Sequence, residues 1–271
     1  MKINYMDGGM IYEINKKYND CGEYAIEHDK SLLRSIYSSY INNGSKFITT
    51  PNYCLKPNYT KNWEHLLNEC IGITNEFRKS SYILGSLPPF NKSYSRNIID
   101  DSFIEFYEKT IKLFKNNVDY YLIETAYCYE EINKIYEIIN KIDCNTPIIL
   151  SVYPNKNHIK HIDDYMKMNL YGIFLNCCKV DEMIEFYETF LEKKDFKGKK
   201  FGFYCNKIDE KNYSKSHDLK NLQKYYLDKD VNYEKLKSFL KKFNNQEIFI
   251  GGCCGYGIDE MKELIESIQQ S

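Results

Sequence analysis

Short apolar runs alternate with longer amphipathic stretches along the whole chain. Eight runs read as strands: Lys2–Met6, Lys46–Thr50, Ser81–Gly85, Tyr120–Glu124, Ile148–Val152, Gly172–Asn176, Lys200–Tyr204 and Glu247–Gly251. Most are continuous apolar runs, the pattern of parallel strands covered on both faces. Between them the period becomes helical. Ser102–Phe114 places Phe103, Phe106, Tyr107, Ile111 and Phe114 on one face. Val180–Leu191 does the same with Met183, Ile184, Tyr187 and Leu191, and Asp181 is placed to start that helix. Ile258–Ile268 closes the chain with a further helix.

The strands recur every 25–45 residues or so, about the length of a βα unit. Strand then helix, repeated eight times without a dividing linker, predicts a single-domain (β/α)8 TIM barrel over residues 1–271. An open doubly wound sheet is the alternative. It would not require so regular a repeat, and no G-x-G-x-x-G follows the first strand. Pro88-Pro89 and the polar segment Lys207–Asp230 read as loops after the third and seventh strands, the second of them long enough for a lid.

Composition narrows the partners. The net charge of -1 supplies no basic excess, so a nucleic-acid partner is not expected. No apolar run reaches a membrane span, so no membrane partner is expected either. The N-terminus lacks a secretory apolar region, and the expected location is cytoplasmic. Ten cysteines in that compartment read as reduced thiols, some of them metal ligands.

Chemistry in such a barrel sits at the C-terminal strand ends. Those ends collect polar and soft groups: Asp7-Gly8-Gly9, Thr50-Pro51-Asn52-Tyr53, Gly85-Ser86, Glu124-Thr125, Asn176-Cys177-Cys178, Tyr204-Cys205-Asn206 and Gly251-Gly252-Cys253-Cys254-Gly255. Adjacent cysteines on a regular strand point to opposite faces. Cys253 and Cys254 therefore serve one centre only if the chain bends, which the glycines permit. A metal site, a strained vicinal disulfide and a pair of buried thiols all fit that stretch. A second strand ending at Cys177 makes a soft-metal site possible.

Asp7-Gly8-Gly9, Glu124-Thr125, Gly172 with Asn176-Cys177, and Gly251-Gly252-Cys253-Cys254-Gly255 resemble, in order, the zinc-dependent homocysteine S-methyltransferases. Gly85-Ser86-Leu87-Pro88-Pro89 with Ser93-Tyr94 is also similar to a stretch in some members. The resemblance implies a catalytic Zn2+ held by Cys177, Cys253 and Cys254, with L-homocysteine as methyl acceptor. It implies that Glu124 receives the acceptor ammonium and that Asp7, Gly8 and Gly9 lie against the amino acid. Asn176 and Tyr53 are the remaining expected substrate-binding residues, Tyr53 as an aromatic face for a cationic donor, with Phe90 and Tyr256 behind it. The family's patterns are altered at Tyr256, at Tyr204-Cys205-Asn206 and at Thr50-Pro51-Asn52-Tyr53, changes that spare the thiols and fall on the donor side.

The expected activity is methyl transfer to homocysteine, giving methionine. S-methylmethionine is the favoured donor, followed by S-adenosylmethionine, and the protein is expected as a monomer or small homo-oligomer. The alternative is the same barrel binding zinc or thiols without catalysis. Plainer readings apply elsewhere. Cys21, Cys70, Cys128 and Cys144 read as small apolar core residues. Cys178 reads as core or as support for the metal ligands, and Cys205 fits either description. His158 and His161 read as surface residues of one helix face, and Asp7 as a turn former if it has no site role. A salt bridge inside the barrel is the plain reading of Glu124.

Overall fold

The computed structural model describes residues 1–18, 21–91, 93, 95–207 and 231–270. The lid-length segment beyond Lys207, and Tyr94, lie outside the described residues. The strands are β1 Lys2–Tyr5, β2 Phe47–Thr49, β3 Tyr82–Leu87, β4 Tyr120–Glu124, β5 Ile148–Val152, β6 Gly172–Cys178, β7 Lys200–Cys205 and β8 Glu247–Gly252. All pair in parallel, in the order β1-β8-β7-β6-β5-β4-β3-β2. The ring closes between β1 and β2 through a parallel bridge from Met6 to Phe47, with Lys46 N donating to Tyr5 O at 2.8 Å and Asp7 N to Phe47 O at 2.9 Å. The fold is the (β/α)8 barrel, and the open sheet is excluded.

The barrel interior is filled, not hollow. Its layer is Met6, Phe47, Leu84, Leu122, Ile149, Phe174, Tyr204 and Phe249, one residue from each strand or its end. Phe249 stacks on Phe174 with ring centroids 5.3 Å apart and meets Phe47 edge-on at 5.1 Å. A Cβ on Gly202 of β7 would lie 2.8 Å from Phe249 Cβ, so the smallest residue sits there. A second, larger core lies between the sheet and the helices.

The helix Asp101–Phe114 shows why the periodic stretches fold as they do. Asp100 caps it, its carboxylate accepting from Phe103 N at 2.9 Å. Phe103, Phe106, Tyr107, Thr110, Ile111 and Phe114 form its buried face. Each large apolar side chain removed from water contributes about 1.5–3 kcal/mol before the cost of ordering it. The stretch expected as one helix from Val180 to Leu191 is an α-helix over Val180–Phe186 followed by a π-helical turn over Tyr187–Leu191. Asp181 lies in its first turn, and the helix is started instead by Glu182, whose carboxylate accepts from Lys179 N at 3.2 Å. The C-terminal helix Ile258–Gln269 is capped by a distant residue. Glu13, near the other end of the chain, accepts from Ile258 N at 2.7 Å, where the helix N-terminus favours negative charge. Among the described residues, no helix is long and apolar enough to cross a membrane.

Candidate active site

The C-terminal ends of the strands enclose a pocket. The expected metal ligands and substrate-binding residues border it: Asp7, Gly8, Gly9, Tyr53, Glu124, Asn176, Cys177, Cys253 and Cys254. How the thiols reach it does not follow from strand parity. Phe174 points into the barrel, so Asn176 should share its face and Cys177 should point outward. The reverse occurs after Asn176: Cys177 borders the pocket, and Cys178 lies in the outer core. Cys177 has a left-handed φ of 54°, and the pairing of β6 with β7 slips between Leu175 and Cys178. A non-glycine residue in that conformation costs on the order of 1–3 kcal/mol and needs support. Asn206 supplies it, its amide donating to Cys177 O at 3.0 Å and its backbone N to Cys178 O at 3.0 Å.

Thr125 repeats the device on β4. It follows the inward-pointing Glu124, has a φ of 53°, and also borders the pocket. Two consecutive side chains thus reach the site from each of these strands.

At the end of β8 the chain turns instead. Cys253 N donates to Cys205 O at 2.7 Å, and Tyr256 N returns to Cys253 O at 3.1 Å. The turn lies directly against the loop after β1. A Cβ on Gly252 would sit 2.4 Å from Tyr256 Cβ and 3.2 Å from Gly8 Cα, and one on Gly8 would sit 2.4 Å from Tyr256 O. Backbone meets backbone here, so neither side can yield cheaply. Gly252→Ala is expected to lower the unfolding free energy by about 1–3 kcal/mol, the usual range for overpacking. Urea denaturation measures it, and an unchanged midpoint would show that the turn has room.

The three sulfurs converge. Sγ of Cys253 lies 3.0 Å from Cys177 and 3.9 Å from Cys254, and Cys177 lies 3.8 Å from Cys254. Cys254 accepts from both others, which holds it well below the usual thiol range, while the same sharing holds Cys253 up. Three thiolates bound tetrahedrally to zinc at about 2.3 Å stand roughly 3.8 Å apart. Two of the distances have that value, and the Cys177–Cys253 pair must open slightly. All three ligand atoms lie within 4.8 Å of one another, on the pocket side of the barrel. A soft donor set of three, open toward a cavity, fits a catalytic zinc better than a closed structural one.

Two carboxylates border the same pocket. Asp7 accepts from Thr49 N at 2.6 Å and from Thr49 Oγ1 at 2.9 Å, and its backbone carbonyl accepts from Gly252 N at 3.0 Å. It therefore ties β1, β2 and β8 together at the rim. Burial pushes its carboxyl up to about 7 against the lowering effect of the Thr49 bonds. Glu124 is also pushed up to about 7 by burial, opposed by hydrogen bonds from Ser86 and Asn176. Its hydrogen-bond partners are a hydroxyl and an amide, not the cation of a salt bridge. Asn176 Oδ1 is buried with no protein partner among the described residues, leaving an acceptor at the pocket wall.

The aromatic lining differs from expectation. Tyr53 borders the pocket, its hydroxyl bonded to Ser93 Oγ at 2.6 Å and Thr125 Oγ1 at 2.8 Å. Phe90 and Tyr256 do not border it. Phe90 packs outward on Phe103 and Phe106, and Tyr256 is fully buried under the last turn. Among the described residues, Tyr12 and Tyr204 are the other rings on the lining. Tyr12 was open to inference, since it follows the Asp7–Gly9 loop on the first helix. Lys56 was not: its buried ammonium donates to Asn91 O at 2.9 Å and lies 5.2 Å from the centroid of the Tyr53 ring.

The remaining cysteines and histidines separate by burial. Cys70 and Cys128 are buried as expected, whereas Cys21 is half-buried and Cys144 is exposed. Cys178 and Cys205 are buried in the outer core. His158, expected at the surface, is completely buried between Tyr165 Oη at 2.8 Å and Ala126 O at 3.0 Å. Burial pushes it down to about 4, so it is neutral at physiological pH.

The motifs at the strand ends match a known family over nearly the entire chain. The homocysteine S-methyltransferase family model matches residues 5–268. The chain belongs to this family. Its members' defining reaction, methyl transfer to homocysteine, is therefore the reaction of this enzyme. No curated protein matches the chain significantly. Among solved structures, the metallated form of the homocysteine methyltransferase MmuM from Escherichia coli is 13% identical, with a TM-score of 0.74 and coverage of 100% of this chain and 97% of that one. The oxidized form of MmuM is 13% identical, with a TM-score of 0.75 over 97% and 95% of the two chains. At that identity the likeness speaks for the fold. A 3-hexulose-6-phosphate synthase from Salmonella typhimurium shares the same fold at 8% identity and a TM-score of 0.53, covering 100% of this chain and 99% of its own. The barrel alone thus does not select the chemistry.

Proposed function

We propose that this enzyme makes methionine from L-homocysteine at a zinc ion held by Cys177, Cys253 and Cys254, taking the methyl group from a sulfonium. S-methylmethionine is the favoured donor, ahead of S-adenosylmethionine. The observation that carries this reading is the meeting of three thiols from two strands beside Glu124 in one pocket. Bound there, zinc would lower the pKa of the acceptor thiol and keep its sulfur nucleophilic at neutral pH.

The chain's own groups supply the rest. Glu124, joined by Asn176 Oδ1, takes the acceptor ammonium and thereby fixes where its sulfur lies. Gly8 and Gly9 give backbone rather than side chains to that wall, leaving space for the amino acid. The acceptor sulfur then forms its bond to the donor methyl in line. The methyl–sulfonium bond breaks, its electrons pass to the donor sulfur, and a neutral thioether leaves. Charge is neutralised in this step, which a pocket with few waters favours.

On the donor side, Tyr53 presents a ring to the pocket while Lys56, which does not border it, lies against the same ring. Among the described residues, no tryptophan lines the pocket. The lone Trp63 packs on Phe106 at 5.1 Å, away from the pocket lining. This favours a sulfonium over betaine. Turnover of zinc-loaded protein with homocysteine and a panel of S-methylmethionine, S-adenosylmethionine and betaine tests the proposal. Product with betaine alone would overturn the donor assignment. Tyr53→Ala is expected to lower kcat/KM for the sulfonium about tenfold, within the cation–π range, and to leave zinc content unchanged.

A further inference from the structure

The Glu124 carboxylate has an anchor on the neighbouring strand. Ser86 on β3 is fully buried and points, like Leu84, into the barrel. Its Oγ donates to Glu124 Oε1 at 2.5 Å. Ser86 is itself immobilised through its backbone. Its N donates to Thr50 Oγ1 at 2.9 Å, Thr50 Oγ1 donates to Asn52 Oδ1 at 2.6 Å, and Asn52 Nδ2 donates to Ser86 O at 3.1 Å. Thr50 and Asn52 are buried too, so water does not compete for these bonds. The hydroxyl is thus a donor held at Oε1 of a carboxylate that the Asn176 amide also bonds, and together the two fix its orientation.

We infer that Ser86 is a positioning residue for homocysteine, acting through Glu124: it holds the carboxylate oriented so that the acceptor ammonium, once bound, places its sulfur over the three thiols. This rests on the proposed role of Glu124. Replacement by Ala is a clean probe, because the bonds from Thr50 and Asn52 involve only the backbone of Ser86 and survive the change.

The test is homocysteine binding to zinc-loaded protein by calorimetry, in a double-mutant cycle of Ser86→Ala and Glu124→Gln. Ser86→Ala is expected to weaken homocysteine binding about tenfold, with zinc content and donor KM unchanged. In the Glu124→Gln background the same change should have an effect under twofold, because the group it acts through is already altered. A purely structural role would instead give equal losses in both backgrounds and overturn the inference, as would unchanged affinity in Ser86→Ala. If Glu124→Gln alone leaves homocysteine binding intact, it is the placement of the acceptor ammonium that fails, and Ser86 with it. Should Ser86→Ala not fold, Ser86→Cys retains a weak donor and replaces it. An intermediate loss that vanishes beside Glu124→Gln supports the inference, and wild-type affinity or an undiminished loss overturns it.

Discussion

Cys253→Ser should lose zinc and methyl transfer together. The parent protein is expected to carry about one zinc per chain, with one ligand position left for the acceptor. Serine keeps the size of the side chain but replaces a soft thiolate by a hydroxyl that stays protonated at neutral pH. Losing one of three such ligands is expected to cost on the order of 4 kcal/mol in metal affinity, roughly a thousandfold. Cys177→Ser and Cys254→Ser should behave alike, since each sulfur lies within 4 Å of the other two. Cys177→Ser has an added consequence. The left-handed turn at Cys177 is held by Asn206 through the backbone, so the turn should persist while the metal is lost. Cys21→Ser, at a thiol that does not border the pocket, should leave zinc content unchanged. Metal analysis of dialysed variants decides the matter. Full zinc occupancy in Cys253→Ser would refute the ligand assignment.

Glu124→Gln should retain zinc and lose homocysteine. The carboxylate sits beside Ser86 and Asn176, pushed up to about 7 by burial in the absence of substrate. An incoming ammonium favours the ionised form and reverses that shift, so binding and ionisation reinforce each other. Glutamine preserves the shape, keeps an acceptor oxygen and removes the charge. The expected loss is roughly 1.5–3 kcal/mol, about ten- to over a hundredfold in dissociation constant. Calorimetric titration of zinc-loaded protein with homocysteine gives the number. The same titration with 4-mercaptobutyrate, which is homocysteine without its ammonium, should show no comparable loss in the variant. Equal homocysteine affinity in the two proteins would place the ammonium elsewhere.

Much of the architecture was legible in the chain because it depends on local pattern. All eight expected strands are present, two of them with the expected bounds and the others with one or both ends displaced by one or two residues. Continuous apolar runs reported burial on both faces, and the barrel supplies it with a filled interior and a helical coat. The helix over Asp101–Phe114 followed from a 3.6-residue period, which acts within one or two turns. The break into a π-helical turn at Tyr187 had no such signal. There, Tyr187 packs on Phe201, Phe239 and Phe243, partners contributed from distant parts of the chain.

At the site, the order of residues along the chain was enough to say which of them crowd the C-terminal rim, because strand ends in a parallel barrel all fall on one side. That was enough to bring Asp7, Tyr53, Glu124, Asn176 and the three cysteines to one pocket. Which way each side chain faces was decided only by the tertiary structure. Parity would have turned Cys177 toward the helices; a slipped register against β7 and a supporting amide from Asn206 turned it inward. His158 follows a helical surface pattern, yet Tyr165 and Ala126 cover it. Tyr256 follows the last cysteines closely, yet the contact between two glycine-rich backbones swings it beneath the turn. Local periodicity reports the conformation of a segment, whereas facing, burial and partner depend on neighbours from other elements, and those are assembled only when the barrel closes.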